Sequence, residues 1–412
     1  MDPLTYYSKP EVQEKILEAA RDREVVGSKE DGTFLSRPDT LVYPNDIIER
    51  VKKGIIAFHC SVEKWKNPMQ LKSEITKKEM DELRKGFDFI IDIDAKAKLE
   101  HAKIAAIQVV EFLKQYGIEP TIKFSGSRGF HVAISEIAFP KKIDFKDISE
   151  KYPEIPQTLA NFIREKIQDR LLEELVKYEG GVAALVNTVE SVSELSPYQF
   201  VDVEKNWGNR HLFRMPYSLH PKKWLVSVPL TFEELKNFNL DMAKPENVKV
   251  KQFLMNKEGE AHDLLLAAMD WGAKLKKDEI PKKEFKGKIK IKIPEEYFPP
   301  CIKSILEGID DGKKRSLFTI ASFLRAMNWS QEEIEEKIKE WNANLGRPLT
   351  DRMVNTQLKW HFRQARELMP ANCESELFYK SLGVCKPDNC CGKNPVNYPF
   401  NVYKKNKKLR NK

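Results

Sequence analysis

Residues 86–94 read Gly-Phe-Asp-Phe-Ile-Ile-Asp-Ile-Asp. The run is rich in aromatic and β-branched residues, which fit a pleated, half-buried surface, so it predicts a strand. Side chains alternate faces along a strand. Phe87, Phe89, Ile91 and Ile93 therefore share one face, and Asp88, Ile90, Asp92 and Asp94 share the other. Asp92 and Asp94 become neighbours roughly 6–7 Å apart. Two carboxylates so placed repel, and aspartate disfavours strands. A divalent metal is the natural offset. Nucleotidyl transfer by two metals needs bridging carboxylates of this kind. The plain alternative is the solvated face of a surface strand.

Helical spacing follows in Ala95–Tyr116, with Gly117 placed to end it. Thr121–Phe124 and His131–Ile134 read as short strands around a polar loop, Thr158–Tyr178 as a second amphipathic helix, and Tyr198–Val203 and Leu225–Val228 as further strands. Thr231 with Glu234 forms a capping-box pattern. Lys274–Ile293 has nine lysines against three acids and contains Pro281 and Gly287, and it reads as a boundary. Beyond it the pattern turns helical: Ser316–Met327, then Gln331–Ala343 behind a Ser330/Glu333 capping box, then Asp351–Leu368 behind Thr350. The Cys-, Pro- and Asn-rich segment Pro370–Pro399 lacks the makings of an ordinary core and needs something else to hold it.

The loop Phe124-Ser-Gly-Ser-Arg-Gly-Phe-His131 is suited to anions. Gly126 and Gly129 permit close backbone approach, and successive amides in such a turn form an anion nest. Ser125, Ser127, Arg128 and His131 add donors for phosphate. A plain hairpin turn explains the glycines but not the arginine and histidine together. The loop lacks the Gly-Lys-[Ser/Thr] of a Walker motif. Asp202 sits in another strand-like run, Phe200-Val-Asp-Val-Glu204. It precedes a stretch, 210–222, with two histidines and several bases but no helical period.

These three motifs, in this order and spacing, resemble the catalytic subunit of archaeo-eukaryotic primases over about Arg23–Leu230. The resemblance implies an α+β catalytic domain with a mixed or antiparallel sheet flanked by helices. It implies that Asp92, Asp94 and Asp202 hold two Mg²⁺ or Mn²⁺ ions. It also implies that Ser125, Ser127, Arg128 and His131 hold the triphosphate, with Arg214, His220 and Lys222 as further nucleotide contacts. Arg23-Glu24 is similar to the family's early Arg-Glu motif, so Arg23 joins that set. Family members often carry a zinc knuckle near the catalytic strands. Here only Cys60 precedes residue 300, beside His59, and no such knuckle is expected.

The other five cysteines, Cys301, Cys373, Cys385, Cys390 and Cys391, all follow the lysine-rich stretch. Thiolates gathered in a cytosolic chain suggest metal or cluster ligation, and the donor type fits zinc or iron–sulfur equally. Buried unligated cysteines are the plain alternative. Pro299-Pro-Cys301, the helices of Ser316–Leu368, Asn372-Cys373, Gly383-Val-Cys385-Lys-Pro-Asp-Asn-Cys390-Cys and Pro395-Val-Asn-Tyr398 resemble the carboxy-terminal domain of the primase large subunit, over about Tyr297–Tyr398. That resemblance implies a mainly α-helical domain with a [4Fe–4S] cluster on Cys301, Cys373, Cys385 and either Cys390 or Cys391. It also implies initiation or template contacts at Lys313, Lys314 and Arg315. A solvated helix start is the alternative for those three.

Composition bounds the rest. Apolar residues at 41% support real cores. No apolar run approaches the ~20 residues that span a bilayer. The opening residues lack the basic-then-apolar pattern of a secretion signal, and six cysteines are too few for a disulfide framework, so a cytoplasmic, nucleoid-associated chain is expected. The formal charge is +8; Lys274–Ile293 carries +6, and Asn401–Lys412 has six bases and no acid. Basic charge thus sits in a linker and a tail, either of which can attract nucleic acid or act as a solvated tether. The expected organisation is a catalytic domain (1–273), a linker (274–293), an iron–sulfur domain (294–400) and a basic tail (401–412). The expected function is de novo synthesis of short primers on single-stranded DNA from nucleoside triphosphates. The protein would be a monomer that meets replication proteins and no membrane. A primer-dependent repair polymerase and a non-catalytic single-strand-binding factor are the competing readings.

Overall fold

The structure, a computed structural model, describes residues 2–72, 75–143, 145–189, 195–278, 292–363, 368–388 and 391–402. The chain divides into two compact units, Met1–Pro281 and Lys282–Lys412.

The first unit is built on two antiparallel sheets. The strands of these two sheets are β1 (Val25–Lys29), β2 (Ile55–Ser61), β3 (Phe89–Ala95), β4 (Thr121–Phe124), β5 (Gly129–Ile134), β6 (Val201–Val203), β7 (Leu212–Arg214) and β8 (Pro229–Leu230). The larger sheet has the order β6-β3-β5-β4-β8, and the smaller has β1-β2-β7. In β3 every residue is buried except Asp92 and Asp94, which are half-exposed. The alternation read from the sequence is therefore real for the acids, while Ile90 on their face is covered. Asp88 lies just before the strand and is buried.

Helix α1 (Leu99–Gln115) covers β3 and β5 with its buried face, which includes Ala102, Ala106, Val109 and Leu113. It ends as expected, with Gly117 at a positive φ of 75°. Helix α2 (Glu154–Glu179) packs on α1, and α3 (His262–Asp278) packs on α2. Helix α3 runs through Lys274–Asp278, residues that read from sequence as linker. Lysine is a good helix former, and a preceding amphipathic helix extends readily into such a run. The Tyr198–Val203 run divides into a short turn at Pro197–Gln199 and the three residues of β6. Proline at the start of the turn favours that break.

The second unit is helical among its described residues: α4 (Pro300–Glu307), α5 (Lys313–Ala326), α6 (Gln331–Ala343) and α7 (Asp351–Arg363). Its core gathers Ile302, Ile305, Leu317, Leu324, Ile338 and Trp341. The Ser330/Glu333 capping box opens α6, with the Glu333 amide donating to Ser330 Oγ at 3.2 Å and the Ser330 amide to Glu333 Oε2 at 2.9 Å. Helix α5 begins three residues earlier than its apolar period suggests, so Lys313, Lys314 and Arg315 form its first turn behind a left-handed Gly312. The cysteine-rich segment adds Tyr379, Val384 and Val396 to this core, more than its composition promised. The Tyr379 hydroxyl donates to the Ala371 carbonyl at 3.0 Å, and the Asn394 amide side chain donates to the Pro370 carbonyl at 2.9 Å.

Candidate active site

Pairing of β6 with β3 sets Asp202 directly across from Asp94. Pairing of β3 with β5 sets Asp92 across from His131. Residues opposed in this way point to the same face. The three predicted acids and His131 therefore meet on one side of the larger sheet. His131 Nε2 lies 3.4 Å from Asp92 Oδ1, and Arg128 Nε lies 3.3 Å from Asp94 Oδ2. Burial raises the Asp92 carboxyl well above the usual range, and the negative charges of Asp94, Glu204 and Asp202 add to the rise. Asp92 Oδ1 is buried without a hydrogen-bond partner. Among the described residues, no group of three or more His, Cys, Asp or Glu side chains forms a ready-made metal site.

The glycine loop lies at the end of this face. Gly126 has a φ of 95°, a conformation that favours glycine. A Cβ at Gly129 would stand 2.1 Å from the Ile93 carbonyl oxygen and 2.5 Å from Asp94 Oδ1, so only glycine lets the loop lie against β3 here. The Ala95 amide donates to the Arg128 carbonyl at 3.0 Å, and the Ser125 amide to the Gly129 carbonyl at 2.9 Å. Ser125 is buried, Ser127 half-buried and Arg128 exposed. The loop also meets the 210–222 stretch: a Cβ at Gly126 would lie 3.4 Å from His220 Cβ and 3.6 Å from Arg214 Cδ.

Burial and neighbouring positive charge act on the bases around the loop. Burial, reinforced by Lys123 and Arg214, holds the His131 imidazole neutral, well below its ordinary value. Burial brings Arg214 down to about 10, and its Nη1 donates to the Leu219 carbonyl at 3.2 Å. His220 is pushed down to about 4 by burial and by Arg214; its Nδ1 accepts from the amides of Lys222 and Lys223 at 3.2 and 3.1 Å. The Lys222 side chain is exposed beside it.

Arg23 has its own set of buried partners. It is buried, ion-paired with Asp88, and its Nη1 donates to the carbonyls of Ser61 and Val62 at 2.7 and 2.9 Å. Its guanidinium sits 5.7 Å from the Phe213 ring.

Three residues at the site escaped the sequence reading. Lys123 is fully buried, lies in register with His131, and donates from Nζ to Ser227 Oγ at 2.7 Å. Burial holds its amine well below the ordinary lysine range. His59 lies in register with Arg214 on the smaller sheet, and its buried Nδ1 has no partner. Glu204 continues the line of Asp202, and its amide donates to the Asp92 carbonyl at 2.9 Å. The available signals were a lone lysine inside an apolar strand and the two-residue spacing of Asp202 and Glu204, which repeats that of Asp92 and Asp94.

In the second unit the described cysteines are free thiols: Cys301 is buried, Cys373 and Cys385 are half-buried, and Cys391 is exposed. Burial, then the proximity of Cys373, Cys391 and Cys385, pushes Cys301 up to about 12. Cys373 rises to about 11 through burial, Cys391 and Cys385. The Asp388 amide donates to Cys391 Sγ at 3.3 Å. Cys390 lies outside the described residues. At the start of α5, Lys313 Nζ donates to the Arg347 carbonyl at 2.8 Å and Arg315 Nη1 to Ser381 Oγ at 3.1 Å; the first turn has no acid.

Residues 91–232 match the family model described as DNA primase small subunit. The matched stretch holds the acids, the loop and the 210–222 bases. An uncharacterized protein of Methanocaldococcus jannaschii, MJECS07, is 33% identical over 122 residues. That similarity covers 29% of this chain and 26% of the relative, so the chain spans about a quarter of the relative's length. Among solved structures, the polymerase domain of Mycobacterium tuberculosis ligase D in complex with DNA is 15% identical, with a TM-score of 0.36, covering 66% of this chain and 88% of that one. Primase RepB′ is 10% identical, with a TM-score of 0.30, covering 80% and 86%. Both likenesses are too loose to define the fold.

Proposed function

We propose that this chain is a DNA primase: a nucleotidyltransferase that starts short primers on single-stranded DNA from nucleoside triphosphates. The observation that carries the reading is the placing of Asp92, Asp94 and Asp202 on one sheet face beside a glycine loop and a surplus of buried bases. The donors fit Mg²⁺ or Mn²⁺: hard carboxylate oxygens, one of them buried and unpartnered. Two such ions would favour ionisation of the attacking 3′-hydroxyl and stabilise the leaving pyrophosphate.

The rest is the work of the chain's own groups. The amides and hydroxyls of Ser125 and Ser127 present donors to the triphosphate, and neutral His131 offers an N–H without the cost of a buried cation. Arg214, His220 and Lys222 close the other side. Gly126 and Gly129 keep this cradle within reach of the acids.

For the second unit, the reading is a [4Fe–4S] domain that holds template and the 5′ nucleotide during the first step. The donors suit the cluster: free thiols whose charges raise one another, with Cys301 on α4 and Cys373, Cys385 and Cys391 on the following segment. Such a cluster would tie that segment to α4. Lys313, Lys314 and Arg315 at the start of α5 would meet nucleotide or template phosphate, since basic side chains at a helix amino terminus are disfavoured until an anion joins them. Among the described residues, no helix is long and apolar enough to cross a membrane.

The test is synthesis on an unprimed single strand with labelled ribo- and deoxyribonucleotides. Products that begin with a triphosphate support the reading. Extension only from a supplied primer favours the repair polymerase, and DNA retention without synthesis favours the binding factor.

A further inference from the structure

The strand that brings Asp202 to the site brings a second acid with it. Asp202 faces Asp94 and Val203 faces Ile93, and the Glu204 amide bonds to the Asp92 carbonyl. The ladder thus places Glu204 opposite Asp92. The four acids occupy the corners of a rectangle, one strand spacing by two residues, about 5 by 7 Å.

The side chains are unequally satisfied. Glu204 Oε1 lies 3.0 Å from His211 Nε2, while Oε2 is buried and has no partner. Asp92 Oδ1 is in the same condition. His131 is 3% exposed, its Nδ1 is unpartnered, and its Nε2 lies 3.4 Å from Asp92 Oδ1. Among the described residues, the ion pairs of Asp92 and Glu204 are with these two histidines alone. A carboxylate oxygen shut off from water and from donors is costly. A role limited to the His211 pair would leave Glu204 Oε2 buried without a partner, on the same sheet face as Asp92.

We infer that Glu204 is a fourth carboxylate ligand of the divalent-cation site, shared with Asp92 across the β6–β3 pair and held in orientation by His211 through Oε1. This rests on the two-cation reading above. Glu204 adds charge that does not depend on nucleotide, so the free protein takes up a divalent cation before a triphosphate arrives.

The test uses the full chain without nucleotide. Mn²⁺ is titrated and the free-ion signal followed by electron paramagnetic resonance, with melting in EDTA measured in parallel. Glu204→Gln should weaken Mn²⁺ uptake at least about tenfold, the scale of loss when groups around a metal ligand are removed. It should also raise the melting temperature in EDTA, because one of four repelling charges is gone. Asp92→Asn should weaken uptake as well. If Glu204→Gln takes up Mn²⁺ like the wild type while Asp92→Asn does not, Glu204 is no ligand. A lower melting temperature in EDTA with unchanged uptake would assign it to the His211 pair only. Wild-type protein that takes up no Mn²⁺ at millimolar concentration would instead overturn the two-cation reading itself.

Discussion

Asp202 and Asp94 stand directly opposite each other across the antiparallel β6–β3 pair, two carboxylates on one face of the sheet. Like charges in this arrangement weaken a sheet by roughly 0.2–1 kcal/mol. Asp202→Asn should therefore melt slightly higher than wild type in EDTA. In Mg²⁺ the same variant should incorporate nucleotide more than about a hundredfold more slowly, the scale of losing one preorganised electrostatic group. Thermal melts and an incorporation assay on one preparation check both halves. An active, unshifted variant would remove Asp202 from the site.

Arg23 separates a structural role from a binding one. Its guanidinium is buried against Asp88 and two carbonyls. Removing one partner of a buried pair costs about 3–5 kcal/mol. Arg23→Met should lower stability by that order while leaving the KM for nucleotide near wild type. A raised KM at unchanged stability would support a direct nucleotide contact for Arg23 instead.

Buried histidines make stability depend on acid. His131 and His59 are held well below their ordinary value by burial and nearby cations, and His361 in the second unit is pushed down to about 4 by burial and Arg325. For each, the folded state refuses a proton that the unfolded chain accepts below pH of about 6.5. Stability is thus full above that pH and falls as the pH drops through it, by up to about 1.4 kcal/mol per pH unit for each such histidine. Denaturant melts from pH 8 to 5 should show the slope. His361→Phe should reduce the slope of the second unit by one proton, and an unchanged slope would show that His361 titrates normally.

The fourth thiol of the carboxy-terminal unit is open to direct assay. The Cys391 sulfur accepts the Asp388 amide, and its charge bears on Cys301 and Cys373. Hydrogen bonds from backbone amides are typical of ligating sulfurs. Anaerobically purified protein should be brown. Cys391→Ala should lose the visible absorption, while Cys390→Ala keeps it. The reverse pattern would assign the ligand to Cys390, and colourless wild type with stoichiometric zinc would discard the cluster.

Strand parity alone made Asp92 and Asp94 neighbours, loop composition alone marked 124–131 for anions, and capping boxes marked the starts of two helices. These are properties of a few consecutive residues, whose geometry the backbone dictates. Tertiary structure decided what the distant segments do. Register across β6–β3 brought Asp202 and Glu204 to the acids, the second sheet buried Arg23 and set His59 beside Arg214, and packing closed over Lys123. Strand order and register depend on which apolar faces can be buried together, a choice made among segments far apart in the chain. No local pattern carries that information.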